Sequence, residues 1–76
     1  MRLDVRLATP GLVRVKVYNL AAELVRSLLD GSYGNGTVTA VWDGKNERGD
    51  YVSSGLYYVV YDAPGSKEVR LVGVVK

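Results

Sequence analysis

The chain has 76 residues, enough for one small domain but not for a large enclosed pocket. It contains no cysteine and no histidine, which excludes disulfides, thiol nucleophiles and metal sites built from Cys or His ligands. Its net charge of +2 comes from interleaved basic and acidic residues, and no apolar run approaches the ~20 residues of a membrane helix. We therefore expect a single domain over residues 1–76 that binds no nucleic acid and no cofactor and does not insert into a membrane.

The chain begins with two segments in which apolar and polar residues alternate, residues 2–8 and residues 12–18. A period of two predicts strands that bury one face. The turn sequence Pro10-Gly11 lies between the segments and favours a reversal of the chain. These features predict a β-hairpin at the start of the fold.

The next segment, residues 19–31, fits two patterns. A helix is favoured by leucines spaced four residues apart and by residues suited to a helix start and stop. The alternation over residues 25–29 also fits a strand. The residues alone leave both structures open. The residues that favour the helix are Leu20, Leu24 and Leu28, with Asn19 and Gly31 at the ends.

The second half returns to short β segments. Residues 36–42 alternate and end at Trp42, residues 55–62 are rich in β-branched and aromatic side chains, and residues 67–75 make a last apolar segment. Strands separated by turns at intervals of about ten residues are typical of a β-sandwich.

The run WDGKNERGD at residues 42–50 has three interpretations. An EF-hand calcium loop is disfavoured because Lys45 and Glu47 occupy positions that should carry Asp or Asn. An adhesive Arg-Gly-Asp loop at residues 48–50 rests on a tripeptide that recurs by chance. A turn is favoured, since Asp and Asn bond their own backbone and the two glycines permit positive φ.

This run extends into the pattern W-D-G-x-N-x-x-G-x-x-V-x-S-G-x-Y. Together with the stretch VYNLAAELVRSL, it resembles the immunoglobulin-like domain of the flagellar hook-capping protein family. It also resembles domains at the C-termini of large secreted bacterial proteins, including the type A sorting domains of type IX secretion. The resemblance covers residues 3–76. Its structural motif consists of Trp42, Asp43, Gly44, Asn46, Gly49, Val52, Ser54, Gly55 and Tyr57.

The resemblance implies an all-β fold, a seven-stranded immunoglobulin-like (fibronectin-III-like) antiparallel β-sandwich. It also implies that the ambiguous segment is a strand, preceded by a turn in which the family's usual glycine is here Ala22. An alanine held at positive φ would cost around 1 kcal/mol or more. The strands expected are residues 2–8, 12–18, 23–29, 36–42, 51–53, 55–62 and 67–75.

The resemblance further implies a non-catalytic structural module at the C-terminus of a larger extracellular or cell-surface bacterial protein. Such a module would serve as a spacer, assembly or secretion and sorting domain, and would contact other domains or assembly partners through its edge strands. The final apolar strand and the basic Lys76 are similar to the ends of sorting domains.

Two alternatives remain, the first implied by the resemblance and the second suggested by the tyrosines. One is a hook-cap assembly domain, and the other is a module that binds glycans or proteins through exposed tyrosines. The acid pair Glu47 and Asp50 could suggest glycosidase chemistry, but so short a chain offers no groove, and we expect no enzyme activity. The tyrosines concerned are Tyr18, Tyr33, Tyr51, Tyr57, Tyr58 and Tyr61.

Overall fold

The computed structural model describes residues 1–75 and contains six strands within that range. None of the described residues forms a helix that could cross a membrane. The predicted all-β class is confirmed. The strands are β1 (Arg2–Leu7), β2 (Gly11–Asn19), β3 (Leu24–Tyr33), β4 (Gly36–Val41), β5 (Gly55–Ala63) and β6 (Ser66–Val74).

The strands form two antiparallel sheets of unequal size. One sheet contains β1 and β4, and the other has the strand order β3-β2-β5-β6. Alternate side chains from both sheets point into one core, where burying each valine contributes roughly 1.5–3 kcal/mol. The arrangement is the expected immunoglobulin-like sandwich. Its core includes Leu3, Val5 and Leu7 of β1, Val13, Val15 and Val17 of β2, and Val59 of β5.

The expected hairpin between the first two segments is wrong. β1 pairs with β4, for example Leu3 with Ala40, whereas β2 pairs with β3 and β5. Both segments have a single apolar face, and the two faces meet across the core from opposite sheets. The turn before Gly11 therefore carries the chain from one sheet to the other.

The ambiguous segment is a strand, and its pairing with β2 contains two bulges. In the pairing of β2 with β3, the register shifts twice, so that Val25 and Leu28 have no residue directly opposite them. Each bulge inserts one residue and interrupts the period of two. The inserted Val25 is buried in the core, whereas Leu24 remains on the exposed face.

The turn between β2 and β3 places Ala22 at a φ of 64°, the left-handed conformation expected for the family's glycine. Asn19 stabilises this turn through its side-chain Oδ1, which accepts hydrogen bonds from the main-chain N–H groups of Ala21 and Glu23, each at 3.0 Å. The Ala22 N–H donates to the Asn19 carbonyl oxygen at 3.0 Å. The turn thus keeps its geometry despite the alanine.

The strand predicted at residues 51–53 is absent, so the described fold has six strands where seven were expected. Tyr51 forms a single bridge with Lys45, and the Val52 N–H donates to the Gly44 carbonyl oxygen at 2.9 Å. The segment bonds to its own turn because that turn supplies the acceptor a neighbouring strand would otherwise provide.

β3 is also longer than residues 23–29, and the expectation for Lys76 lies outside the described residues.

Candidate functional site

Trp42 follows β4 directly and anchors the motif. Its buried ring meets Tyr57 edge-on, with centroids 5.4 Å apart and planes inclined by 65°. The indole Nε1 donates a hydrogen bond to the Lys45 carbonyl oxygen at 2.9 Å, which satisfies a donor that would be costly to bury unpaired. The Trp42 main chain exchanges two hydrogen bonds with Met1, at 2.9 and 3.0 Å. Trp42 therefore connects the turn to the core and to the start of β1.

Asp43 begins the turn and connects it to β3. Its Oδ1 accepts a hydrogen bond from the Lys45 main-chain N–H at 3.0 Å and another from Arg26 Nη1 at 2.8 Å. The second contact is an ion pair in which both side chains are partly exposed. Gly44 follows with a φ of 81°, a conformation that glycine adopts without a steric penalty.

Asn46 organises the middle of the turn. Its Oδ1 accepts hydrogen bonds from the main-chain N–H groups of Arg48 and Asp50, at 2.9 and 3.1 Å. Its own N–H donates to the Asp50 carbonyl oxygen at 2.8 Å, and its carbonyl oxygen accepts from the Gly49 N–H at 3.0 Å. Because one side chain replaces several missing main-chain partners, this position requires the amide that the motif specifies.

Glu47 fastens the turn to the large sheet. Its Oε1 accepts a hydrogen bond from the Ser27 main-chain N–H at 2.7 Å, and its own N–H donates to the Val25 carbonyl oxygen at 3.1 Å. Sequence reasoning missed the positioning roles of Glu47 and Arg26. Their side-chain contacts span 17 to 20 residues, and no local pattern indicates them.

The tripeptide Arg48, Gly49 and Asp50 is exposed at the surface of the turn. Gly49 has a φ of 86°, and the main chain of Asp50 is held by Asn46 on both its N–H and its carbonyl oxygen. The tripeptide therefore forms part of a hydrogen-bonded turn, in line with the interpretation favoured from the sequence.

The motif ends where the chain enters β5. Val52 is buried in the core, and Gly55 starts the strand. Tyr57 is buried beside Trp42, and its hydroxyl donates to the Ser53 carbonyl oxygen at 2.7 Å. This contact fixes the angle between the segment and the strand. Ser54 lies exposed immediately before Gly55.

Two acidic side chains of the turn are directed to internal partners, whereas Asp50 is exposed. Asp43 contacts Arg26, and Glu47 contacts the Ser27 main chain. Within residues 1–75 no three His, Cys, Asp or Glu side chains lie close enough to hold a metal ion together. The polar contacts of this turn hold it against β3 of the large sheet.

The tyrosines are spread over separate surfaces. Tyr57 belongs to the core, whereas Tyr58 and Tyr18 are register partners on the opposite face of the large sheet. Tyr51 lies in the turn, where the Lys45 ammonium is 4.9 Å from its ring centroid. A shallow depression of about 430 Å³ lies between the motif and the β2–β3 turn, and Tyr57 is the one tyrosine among its lining residues. No single stacking platform brings these rings together.

A carboxyl group on the small sheet has a perturbed pKa. Thr39 Oγ1 donates to Asp4 Oδ1 at 2.8 Å, and Arg2 Nε lies 3.3 Å from the same oxygen. The hydrogen bond from Thr39, followed by that from Arg2, lowers the pKa of the Asp4 carboxyl below its usual 3.8. The Asp4 carboxylate therefore favours the pairing of β1 with β4.

Comparison with known proteins bears on the motif directly. A family model described as the FlgD Ig-like domain matches residues 2–66, which is most of the chain and includes the whole motif. No curated protein and no solved structure gives a significant match. The resemblance to the hook-capping domain is thereby confirmed, while the likeness to sorting domains stays a prediction. The chain belongs to the FlgD Ig-like domain family, a structural and non-catalytic family of immunoglobulin-like folds.

Proposed function

We propose that the chain is a non-catalytic assembly module of a larger extracellular bacterial protein, acting in the manner of a flagellar hook-cap domain. The observation that carries this proposal is the internal use of the motif's polar groups. Asp43, Asn46 and Glu47 bind main-chain groups of the turn and of β3, so the most distinctive residues of the chain build the fold. The family match also supports a structural role.

The proposal assigns binding to the surfaces and strand edges that the motif leaves uncovered. Within residues 1–75, the outer strands of each sheet have an edge without a strand partner, and such edges are common sites of chain-to-chain contact. The partners would be other domains of the parent protein or further subunits of an extracellular assembly.

A domain replacement in the parent protein tests this role against that of a passive spacer. The module would be exchanged for an unrelated immunoglobulin-like domain of similar length, and incorporation into the extracellular assembly would be measured by co-sedimentation. An assembly module predicts loss of incorporation with normal export. Normal incorporation after the exchange would identify a spacer. Retention of the parent inside the cell only after the exchange would favour a sorting role over an assembly role.

A sorting role is the second candidate, favoured by one feature of β6. Val69 and Leu71 are each 58% exposed on this edge strand, an apolar surface that a secretion apparatus could recognise. Fusion of the chain to a secreted reporter in a strain with type IX secretion tests this role. Export that is abolished by Val69→Asp with Leu71→Asp would support sorting. Equal export of the two fusions would contradict it.

A further inference from the structure

β1 has one side without a strand partner in the part of the chain that the structure describes. Met1 and Trp42 exchange both of their main-chain hydrogen bonds, which defines them as a hydrogen-bonded pair. Because such pairs alternate along antiparallel strands, the main-chain N–H and C=O groups of Arg2, Asp4 and Arg6 point away from β4. These three residues present the unpaired edge of β1.

The surface beside this edge is the uncovered inner face of β6. Register pairs share one face of a sheet, so Val72 lies on the side of buried Tyr57, and Arg70 lies on the side of buried Val59. The small sheet is too narrow to cover them, and Val72 stays half-buried while Arg70 is exposed. A crevice of about 240 Å³ separates the edge from β6. It is lined by Met1, Arg2, Leu3, Val59, Arg70, Leu71 and Val72.

We propose that an extended segment of a partner protein adds to β1 as a further strand and covers the inner face of β6. The inference rests on the proposed assembly role and names the surface that performs it. The partner strand would place apolar side chains at alternate positions above Val59 and Val72.

The charged side chains that line the crevice are Arg2 and Arg70. Arg2 pairs with Asp4 at 3.3 Å and Arg70 with Glu68 at 3.4 Å, both at the surface. Each guanidinium keeps further donors, which acidic residues of the partner segment would bind.

The other strand edges offer less to an incoming strand. β3 contains two bulges and is bound by Glu47 from the motif turn, which obstructs regular pairing. β4 packs beside β3, on the side of the sandwich where that turn lies. A strand added to β6 would continue the large sheet but would meet no second layer. Addition at β1 combines main-chain pairing with burial of apolar surface.

The test uses a capped ten-residue peptide that alternates valine and threonine and has glutamate at both ends. Its control is an isomer with all valines in one block. Titration of the ¹⁵N-labelled chain should shift the amide signals of Arg2, Asp4 and Arg6 and those of residues 70–72. The control isomer should bind at least about tenfold more weakly, because its apolar side chains do not face one side of a strand.

Two proline variants separate this edge from the rest of the small sheet. Asp4 and Thr39 are register partners that bond to each other, so Asp4→Pro and Thr39→Pro lose the same side-chain hydrogen bond. Their N–H groups point to opposite edges, and proline is tolerated where an edge N–H faces solvent. Asp4→Pro should weaken peptide binding by about tenfold or more, and Thr39→Pro by less than about twofold. Thermal melts establish that each variant is folded.

Several results would overturn the inference. These are peptide shifts centred on β3, equal weakening by the two prolines, or slow amide exchange at Arg2, Asp4 and Arg6 in the dilute free chain. Shifts that appear on concentrating the chain alone would assign the edge to a second copy. Loss of peptide binding with normal assembly by Asp4→Pro in the parent protein would refute the edge and spare the assembly role. If the module binds the peptide but is dispensable for assembly, the assembly role would be refuted and the binding edge would stand.

Discussion

The two sides of the sandwich differ in whether the gap between the sheets is covered. On the β3 side, the motif turn crosses from the small sheet and bonds to Val25 and Ser27 of the large sheet. On the β6 side, the small sheet ends at β1, and the inner face of β6 remains open. The turn that carries the family motif therefore builds the closed side, where Asp43, Asn46 and Glu47 bind internal partners. Recognition is best sought on the open side, which the motif does not determine.

Removing the anchor of the closed side should have the largest effect. Trp42→Ala deletes a buried ring and the contact with Tyr57, and it should reduce the free energy of unfolding by roughly 3–5 kcal/mol. Thermal and urea melts measure the loss. The adjacent Val41, which is 65% exposed, supplies the control, since Val41→Ala should change stability by less than about 0.5 kcal/mol. Comparable losses in the two variants would refute the anchoring role.

Detaching the turn from β3 should have an intermediate effect. Glu47→Ala removes the acceptor of the Ser27 N–H, and we expect a loss of about 1–2 kcal/mol together with faster exchange of the Ser27 amide. Arg48→Ala alters the next exposed side chain of the turn and should be within about 0.5 kcal/mol of the wild type. Unchanged exchange at Ser27 would show that Glu47 does not fasten the turn in solution.

The β2–β3 turn allows a gain of stability on the closed side. Ala22 has a φ of 64°, so Ala22→Gly should relieve the strain and raise the free energy of unfolding by around 1 kcal/mol. Ala21→Gly provides the control at a neighbouring position outside the positive-φ region and should give no gain. Equal urea midpoints for wild type and Ala22→Gly would mean that the turn relaxes away from this conformation.

The smallest effect concerns the open side and depends on pH. The pKa of Asp4 is lowered, so its folded carboxylate contributes stability above the ordinary pKa of 3.8, and this contribution is lost as the pH falls through the lowered value. The difference in stability between wild type and Asp4→Asn should therefore shrink as the solution is acidified. Thr39→Val should move the Asp4 pKa back toward 3.8, which an NMR titration of the carboxyl group measures. A gap that widens on acidification would contradict the assignment.

Sequence reasoning recovered what is encoded locally. The alternation of Leu3, Val5 and Leu7 gives a strand with one buried face, and the Asp, Asn and Gly residues of the motif give a turn. Alternation does not identify the partner strand, so β1 was wrongly paired with β2. The bulges at Val25 and Leu28 depend on how β3 pairs with β2, which the sequence of one segment does not show.

In the candidate site, too, only the residues of a local motif could be predicted. Trp42, Asn46 and Gly49 were identified through the family motif, whose spacing lies within one short segment. The contacts of Glu47 and Arg26 join residues far apart in the chain, and they depend on how the turn meets β3. The open edge of β1 is also a property of the assembled sheets, and a single strand's sequence does not reveal which of its sides is paired.

The pairing of β1 with β4 sets an order of folding. Arg2 pairs with Val41 across the whole first half of the chain, whereas β2 with β3 and β5 with β6 are neighbours joined by short turns. Closing a long loop has a larger entropic cost and slows folding, so the two local hairpins should form before the small sheet. During synthesis β1 then has no strand to pair with until β4 has emerged from the ribosome. A chaperone that bound this first segment would delay closure of the small sheet.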